Sequence, residues 1–393
     1  MIKTNRLNGI FRRKKNERKN ILFFEEENNL TYSKLPGVYF TETVTQNTVF
    51  TEDEVPLFIV QTSTAITDID GTITGYTNFA AFETVAKNKG LTQTLKYMQD
   101  ILTESEHENF YVYSIKTDTA TGFTDAIKST AHLTDVTSII YVEEAKSASG
   151  NAITSKIAAI KAGVHNNAEN GVFREAYVIP YGTVEDAVEE AENTTPEAAA
   201  VTALTTITAG DGDGRICVAL PDSLAGCVVG HCIGSDYDEE PGFEALGLLD
   251  LTGVYNFDAT QMLTLQNQGV IFVRPERLQG GNQYRINLGV TTSFKESSAD
   301  GLIVCRTTVD AMLRRIAFEG QAFVKAKESE SNRAAFNTVI NGIITEFATE
   351  GSINQNGTQL TVADAGNSTF TVTGTIQPIK SVIAIEVNTT ITA

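Results

Sequence analysis

The residue types most suited to chemistry lie close together in the segment LAGCVVGHCIGSD. Cys227, His231 and Cys232 are side chains of the kind that bind zinc, and Cys232 with His231 and Asp236 has the composition of a nucleophilic triad. Zinc sites take four ligands, however, usually in pairs such as Cys-x2-Cys, and triads are assembled from distant segments. We therefore predict a helix packed through small residues, with no catalytic residue and no metal ligand.

Other motifs of catalysis or cofactor binding are weak or missing in the sequence. AGDGDGR resembles the start of a calcium loop, but the Glu that closes an EF-hand loop is absent, which predicts a surface loop. There is no phosphate loop, no Gly-x-Gly-x-x-Gly after a strand and no His pair at metal spacing. Cys217, Cys227, Cys232 and Cys305 lie in apolar runs typical of buried intracellular thiols. These features predict no cofactor and favour a protein that is not an enzyme.

Charge is distributed unevenly along the 393 residues. The first 20 residues carry a net charge of about +7. Because the formal net charge of the whole chain is −19, the remaining residues carry about −26. So acidic a body does not bind nucleic acid by counterion release. The basic segment is interpreted as a solvated arm or a dock for an acidic surface, such as another copy of the chain, with specific nucleic-acid binding as the alternative. Its eight cations are Lys3, Arg6, Arg12, Arg13, Lys14, Lys15, Arg18 and Lys19.

Neither a membrane span nor a secretory signal is predicted. No uninterrupted apolar run reaches the about 20 residues that a spanning helix needs. The N-terminal segment passes from basic to acidic residues without the apolar region of a signal peptide. We expect no membrane insertion and assembly in the cytoplasm.

Strand and helix patterns alternate from residue 55 onward, which favours an α/β class, α and β mixed, with a partly parallel sheet. Predicted strands include VPLFIVQTS, NFYVYSIK, VTSIIYVEE and FREAYVIPYG, and predicted helices include NFAAFETVAKN, LTQTLKYMQDILTES and NAITSKIAAIKAGVHNNAE. Residues 183–214 are interpreted as an acidic helix followed by a Gly/Asp-rich connection.

Two amphipathic helices and a strand pair are predicted in the C-terminal third. The first helix, at 307–327, should turn Asp310, Arg314, Gln321 and Lys325 to solvent. The second, at 331–351, should end at Gly351. The strands are QLTVAD and STFTVTGTI. Core residues of the two helices are Val309, Met312, Leu313, Ile316, Gly320, Phe323 and Val324, then Phe336, Val339, Ile340, Ile343 and Phe347.

Each end of the chain carries an apolar strand pattern outside these elements. Residues 383–392 alternate with period two, and a short apolar run follows the basic segment. Because an unattached strand is a liability unless it pairs, we predict that both add to sheets of neighbouring copies. The predicted arm residues are Ile21, Leu22, Phe23, Phe24, Ile383, Ile385, Val387 and Ile391.

An ordered series of segments resembles the contractile tail sheath proteins of bacteriophages and related injection machines. LPGVYFTETV resembles the family's entry element, and EVPLFIVQTS the apolar strand after it. PDSLAGCVVGHCIGSDYDEEPGFEALG resembles its Pro-Ser and Ala-Gly helix, and LQNQGVIFVRPERLQGGNQYRINLGVTT its Gly-Val strand hairpin. CRTTVDAMLRRIAFEGQAFV and ESESNRAAFNTVINGIITEFATEGSI resemble its last two helices. The resemblance runs in order over residues 35–350.

The resemblance implies a mechanical role. Sheath subunits assemble as stacked six-fold rings around an inner tube, and contraction drives the tube through a target envelope while terminal arms keep subunits connected. It implies a multi-domain subunit with a basic arm at 1–35, an outer α/β domain at 36–250, an inner α/β domain at 251–382 and a β arm at 383–393. The implied partners are other copies, the tube protein, baseplate and tail terminator proteins, in the tail of a virion.

The resemblance also implies cations on the inner face, since tube surfaces in such machines tend to be acidic. The candidates are Arg314, Arg315, Lys325, Lys327 and Arg333. Ordinary solvated helix surface, with pairing to nearby carboxylates, is the alternative. Two other classes of protein stay open at this point, a static helical or shell-forming structural protein and an uncharacterised α/β enzyme.

Overall fold

The computed structural model describes residues 54–380 with short gaps, and all of these residues belong to one compact unit, Gly37–Ala393. The gaps are 63–65, 67–68, 70, 116–119, 134, 147–151, 192–193, 211, 243–244, 247–252, 279–280, 297–299, 325, 327–328 and 367–368. Several predicted site residues lie outside the described residues, namely Ile21, Leu22, Phe23, Phe24, Lys325, Lys327, Ile383, Ile385, Val387 and Ile391.

A seven-stranded sheet organises most of the described chain. Its order is β2-β3-β1-β4-β5-β6-β7, with β2 antiparallel to β3 and the other described pairs parallel. The predicted α/β class with a partly parallel sheet is confirmed. The strands are β1 (Val55–Gln61), β2 (Ile73–Tyr76), β3 (Phe110–Ile115), β4 (Val136–Val142), β5 (Glu175–Ile179), β6 (Ile216–Ala219) and β7 (Val270–Ile271).

Helices cover both faces of this sheet, which explains why its central strands are almost continuous apolar runs. In β1, Phe58 and Val60 belong to one buried core, and Leu57 and Ile59 belong to the core on the opposite face. The first core includes side chains of α1 (Phe79–Ala86), α2 (Thr92–Glu104) and α7 (Ala225–Gly234). The second includes side chains of α3 (Ala120–Ser129), α4 (Ile153–Glu169), α5 (Tyr181–Glu189), α6 (Pro196–Ile207) and α8 (Ala259–Asn267).

Helix α7 shows why the Cys-His-Cys segment is rich in small residues. Gly226 and Gly230, four positions apart, share a face that packs on α2. A Cβ at Gly226 would lie 2.6 Å from Asp100 Cβ, and one at Gly230 would lie 2.7 Å from the Ile101 carbonyl oxygen. The helix begins after Leu224, whose N–H donates to Asp222 Oδ1 at 2.9 Å.

The structure adds helix α6 between the acidic helix α5 and the Gly/Asp-rich connection at the end of residues 183–214. The local signal is present in the sequence, because the Thr195 side chain accepts from the Ala198 N–H and Pro196 occupies the first turn. The connection is therefore confined to the residues between α6 and β6. The predicted division at residue 250 falls between β6 and β7, which pair in the same sheet.

The C-terminal elements divide between two cores. The hairpin of β8 (Val273–Leu278) and β9 (Gly281–Ile286) and a 3-10 helix at Thr292–Glu296 contribute side chains to the first core. A third core lies between α9 (Ile303–Gly320), α10 (Glu330–Glu350) and the antiparallel pair of β10 (Gln359–Gly366) and β11 (Thr369–Thr375). Helix α10 matches the prediction: the Ser329 side chain accepts from the Asn332 N–H, and Gly351 ends the helix at a φ of 86°.

The predicted outward face of α9 is wrong. Asp310 is 2% exposed and Arg314 is 7% exposed, whereas Val324, predicted to be buried, is 40% exposed. The reason is that α9 contributes to the sheet core at its start and to the third core further along, so it has no continuous solvent face over its first four turns. The helix also ends at Gly320 instead of continuing to residue 327.

Candidate functional site

The carboxyl edge of the sheet is the place where doubly wound α/β proteins hold ligands, at the reversal of strand order. Here the reversal lies between β1 and β4. Buried Lys156 of α4 donates from Nζ to Gln61 Oε1 at 3.0 Å and to the Tyr141 hydroxyl at 3.2 Å, with Glu143 Oε1 at 3.9 Å. The amine is therefore engaged by the chain's own polar groups.

Helix α2 presents its N-terminus at this same edge, where a phosphate would be held in a nucleotide-binding protein. The Glu144 carboxylate accepts from the Gln93 N–H at 2.9 Å and from the Thr94 N–H at 2.8 Å. Two of the N–H groups that the helix start leaves free are thus satisfied by an internal anion. An external anion would have to displace this carboxylate.

The Cys-His-Cys segment lacks the electrostatics of a reactive site. Burial raises the pKa of Cys232 well above its ordinary value and that of Cys227 to about 12, whereas nucleophiles and metal ligands act as thiolates. In the described part of the chain, His231 Nε2 is buried without a hydrogen-bond partner, so no bond through that atom joins it to Cys232 or Asp236. Those same described residues contain no group of three His, Cys, Asp or Glu side chains placed to hold a metal ion.

A buried ionic cluster joins α9 to the sheet. Asp310 Oδ2 accepts from Arg215 Nη1 at 2.8 Å, and Asp310 Oδ1 accepts from Arg306, one turn earlier on the same helix. All three side chains are at most 3% exposed. Glu175 of β5 is close enough for its charge to interact with those of Asp310, Arg306 and Arg215. It accepts a hydrogen bond from the Tyr177 hydroxyl at 3.0 Å. Sequence reasoning missed this cluster because Arg215 and Asp310 are 95 positions apart.

We expect the ionisation of Glu175 to contribute measurably to the pH dependence of the unfolding free energy. Burial raises its pKa to about 7 from an ordinary 4.5, so its stabilising protonated form is present below pH 4.5 and is lost as the pH rises through about 7. We expect the unfolding free energy to fall by about 2–3 kcal/mol from this group between pH 5 and pH 8. Urea unfolding of Glu175→Gln at both pH values should lack that component.

Asp222 provides the control for this measurement. Burial raises its pKa to about 7 as well, although it lies after β6 beside Leu224. Asp222→Asn should therefore remove a separate part of the pH dependence, and the two substitutions should add because the sites are independent. A Glu175→Gln protein with the full wild-type pH dependence would contradict the assignment.

The predicted tube-facing cations are not one exposed patch. Arg314 is largely buried and donates to Glu54 Oε1 at 3.1 Å. Arg315 is half-buried, with Glu319 at 3.3 Å and Glu346 at 3.7 Å. Arg333 lies at the start of α10 with its guanidinium on Glu330. Of the described candidates, Arg315 and Arg333 reach solvent, and Arg314 is a structural cation.

The β10–β11 pair has an open edge. Its inner face packs on α10 through buried Val362, while the other face is exposed. Val362 N–H donates to Asn337 Oδ1 of α10 at 3.4 Å and so points away from β11, and by register the Val372 N–H points away from β10. Among the described residues no third strand pairs with β11. Its outer edge can accept another strand.

Solved structures share this fold over almost the whole chain. The helical sheath of the anti-feeding prophage (AFP) in its contracted state matches at 13% identity and a TM-score of 0.60, over 91% of this chain and 99% of that chain. The sheath complex of an extracellular contractile injection system, PVC, in its contracted state matches at 13% identity and a TM-score of 0.61, over 92% of this chain and 98% of that chain. The chain has the fold of a contractile sheath protein.

A third match with the sheath fold comes from a chain in the 6-fold symmetrised AFP baseplate, at 13% identity and a TM-score of 0.62 over 91% of this chain and 99% of that chain. No family model and no curated protein matches the sequence. The resemblance inferred from ordered segments is therefore confirmed as a likeness of fold. No described helix is both long enough and apolar enough to span a membrane.

Proposed function

We propose that the chain is a structural subunit of a contractile sheath, polymerised as stacked hexameric rings around an inner tube. Contraction of the sheath drives the tube through the envelope of a target cell. The observation that carries the proposal is the sheath fold, which spans 91% of this chain and nearly all of the AFP sheath chain. The match to a 6-fold symmetrised assembly supports the hexameric ring.

The open edge of β11 supports polymerisation through terminal arms. A two-stranded sheet is marginal alone, and an added strand pairs the outward backbone groups of β11. The alternating strand at 383–391 and the apolar run at 21–24 are the arms that we propose for this edge in neighbouring copies. The division into an outer domain at 36–250 and an inner domain at 251–382 belongs to the same proposal.

The proposed partners are further copies of the chain, the inner tube protein, and baseplate and tail terminator proteins. The particle is the tail of a virion or a related injection machine, assembled in the cytoplasm, without membrane insertion or specific nucleic-acid binding. The engaged Lys156 and Glu144 at the sheet edge support a role without catalysis. A static helical shell protein is the second candidate, because the open β11 edge would also serve a polymer that never contracts.

Electron microscopy of negatively stained, purified chain tests the proposal. We expect wide hollow tubes with helical symmetry. On co-expression with the inner tube protein, we expect a second, longer and narrower form of the sheath that surrounds that tube. Tubes of a single length and pitch under every condition would favour the static polymer. Particles that stay monomeric at high concentration would contradict both polymer functions and return the enzyme class to consideration.

A charge reversal at the proposed inner face should weaken sheath growth on the tube. Lys325 and Lys327 precede α10 in the sequence, and Arg333 lies in its first turn. We expect the replacement of all three by Glu to reduce co-assembly with the tube protein. Each exposed contact contributes about 0–1 kcal/mol and is screened by salt, so the three act together at low ionic strength. The yield of sheathed tubes, counted in micrographs, measures the effect.

The matched control reverses Lys87, Lys89 and Lys128, which lie on or beside α1 and α3. That variant has the same net charge, so general repulsion affects it equally. Both variants should unfold at the wild-type urea concentration. Normal sheath yield from the Lys325, Lys327 and Arg333 variant in low salt would remove these residues from the tube interface.

A further inference from the structure

Residues 376–379 connect β11 to the predicted C-terminal arm, and backbone hydrogen bonds hold them to the segment that follows α10. The Gln377 carbonyl oxygen accepts from the Asn354 N–H at 2.8 Å, and the Ile379 N–H donates to the Ser352 carbonyl oxygen at 2.9 Å. The two segments therefore run antiparallel over a short bridge. We call this pairing the arm clamp.

The arm clamp is centred on the pair of Pro378 and Ile353. The two backbone bonds flank this pair instead of joining it, so Pro378 occupies a position that needs no N–H. Ile353 is 2% exposed and belongs to the third core. The Gln377 N–H, one residue before the proline, donates to the hydroxyl of buried Thr358 at 3.0 Å. Three hydrogen bonds thus fix residues 377–379 beside the third core.

The ladder between β10 and β11 is poorly placed to resist tension from the arm. Gln359 at the start of β10 pairs with Thr375 at the end of β11, so both strands connect to the rest of the chain at the same end of the ladder. A pull on Thr375 would load the hydrogen bonds one pair at a time, beginning at that end. Because each bond has a small net strength, β11 would peel away from β10.

The arm clamp lies between that end of the ladder and the arm. The bonds of an antiparallel bridge are perpendicular to its strands, so a pull along residues 377–379 loads them together. The tension then reaches Ser352, whose N–H donates to the Phe347 carbonyl oxygen of α10 at 3.0 Å. The Ser352 hydroxyl donates to Asp238 Oδ2, in the loop after α7, at 3.1 Å. The clamp therefore joins the root of the arm to α10 and to that loop.

We propose that the arm clamp transfers tension on the C-terminal arm to α10 and so keeps β11 paired with β10 while the arm is pulled. The inference rests on the proposed function, in which the arm of each copy binds the β11 edge of a neighbour. In such a series of copies, β11 receives one arm and also precedes the root of another. Peeling of β11 would release the neighbour's arm as well, so a break at one connection would spread to the next.

Single-molecule pulling on the monomer tests the arm clamp. One handle is attached after residue 393, and the other at position 345, where an azide-bearing residue replaces Thr345, which is exposed on α10. With this attachment, tension on the arm reaches α10 through the clamp. The force at the first extension event is the measured quantity.

Two substitutions at Ile379 isolate the backbone bond. Ile379→Pro removes the N–H that donates to Ser352, whereas Ile379→Ala trims the same half-exposed side chain and keeps that N–H. We expect the first event in Ile379→Pro at a force at least about twofold lower than in wild type, because forced unfolding follows the barrier to breaking the clamp. Ile379→Ala should give the wild-type force. Equal forces in all three proteins would overturn the proposal.

A disulfide across the arm clamp provides a second comparison that does not depend on breaking a native bond. Cα atoms at a non-hydrogen-bonded antiparallel position lie about 4.5 Å apart, within the range that a disulfide spans. The double variant Ile353→Cys and Pro378→Cys is oxidised mildly, and the four native cysteines are buried, so the introduced thiols react first. The oxidised form should withstand at least about twice the force of the reduced form. Equal forces would show that tension bypasses the clamp.

Negative-stain micrographs of the wild-type chain separate this inference from the sheath proposal. Tubes from a protein whose variants show equal forces in both comparisons would leave the sheath function standing and reject the arm clamp. The expected force differences in a chain that forms no tubes would support tension transfer by the clamp and reject the sheath function.

Discussion

Replacing Asp310 with Asn should lower the free energy of unfolding by about 3–5 kcal/mol, the effect expected when one partner of a buried ion pair is removed. The substitution keeps the shape of the side chain and one acceptor oxygen. What it removes is the negative charge between Arg215 and Arg306, each at most 2% exposed. Two guanidinium groups would then share a buried site without the anion that both contact.

Urea unfolding at pH 7, followed by circular dichroism, measures this cost. Glu346→Gln is the matched control, because Glu346 also pairs with an arginine of α9, Arg315, at 3.7 Å but on the surface. The control should change stability by about 0–1 kcal/mol. An Asp310→Asn protein within about 1 kcal/mol of wild type would show that the cluster does not hold α9 to the sheet.

The contrast between these two carboxylates shows what the sequence could not predict about α9. Its apolar residues recur at helical spacing, and charged residues between them are exposed by default, so the pattern assigns Asp310 and Arg314 to solvent. The structure buries both because partners distant in sequence, Arg215 and Glu54, compensate their charges. No local pattern encodes a partner 95 or 260 positions away.

Elements with a strong local signal are predicted well. The central strands are continuous apolar runs, and α10 carries both a Ser329 cap and a terminal Gly351, so their places follow from short-range chemistry. Helix α6 has a comparable signal in Thr195 and Pro196 that the Gly/Asp-rich composition after it obscures. For the candidate site, the sequence predicts arms at both ends of the chain, whereas the open β11 edge can be recognised only from the fold.

Disrupting the apolar face of the C-terminal arm should abolish tube assembly. Ile383, Ile385, Val387 and Ile391 share one face of the period-two pattern, and their replacement by Ser removes the side chains that would anchor an added strand. Main-chain pairing with β11 alone gives little stability, because peptide groups exchange water hydrogen bonds for protein ones at small net gain. We expect at least about tenfold fewer tubes in micrographs, with an unchanged monomer circular dichroism spectrum.

The opposite face of the same strand provides the matched control. Changing Ala384, Glu386, Asn388 and Thr390 to Ser alters the same number of residues but leaves every apolar anchor in place. If the arm adds to a neighbouring sheet with one face buried, this variant should assemble as wild type, because a period-two strand presents these side chains to solvent. Equal loss in both variants would mean that the segment acts through its backbone or its length, and normal assembly in both would show that the polymer is held by other contacts. Only a loss confined to the Ile383 face fits a tether that docks by side chains on the open edge of β11.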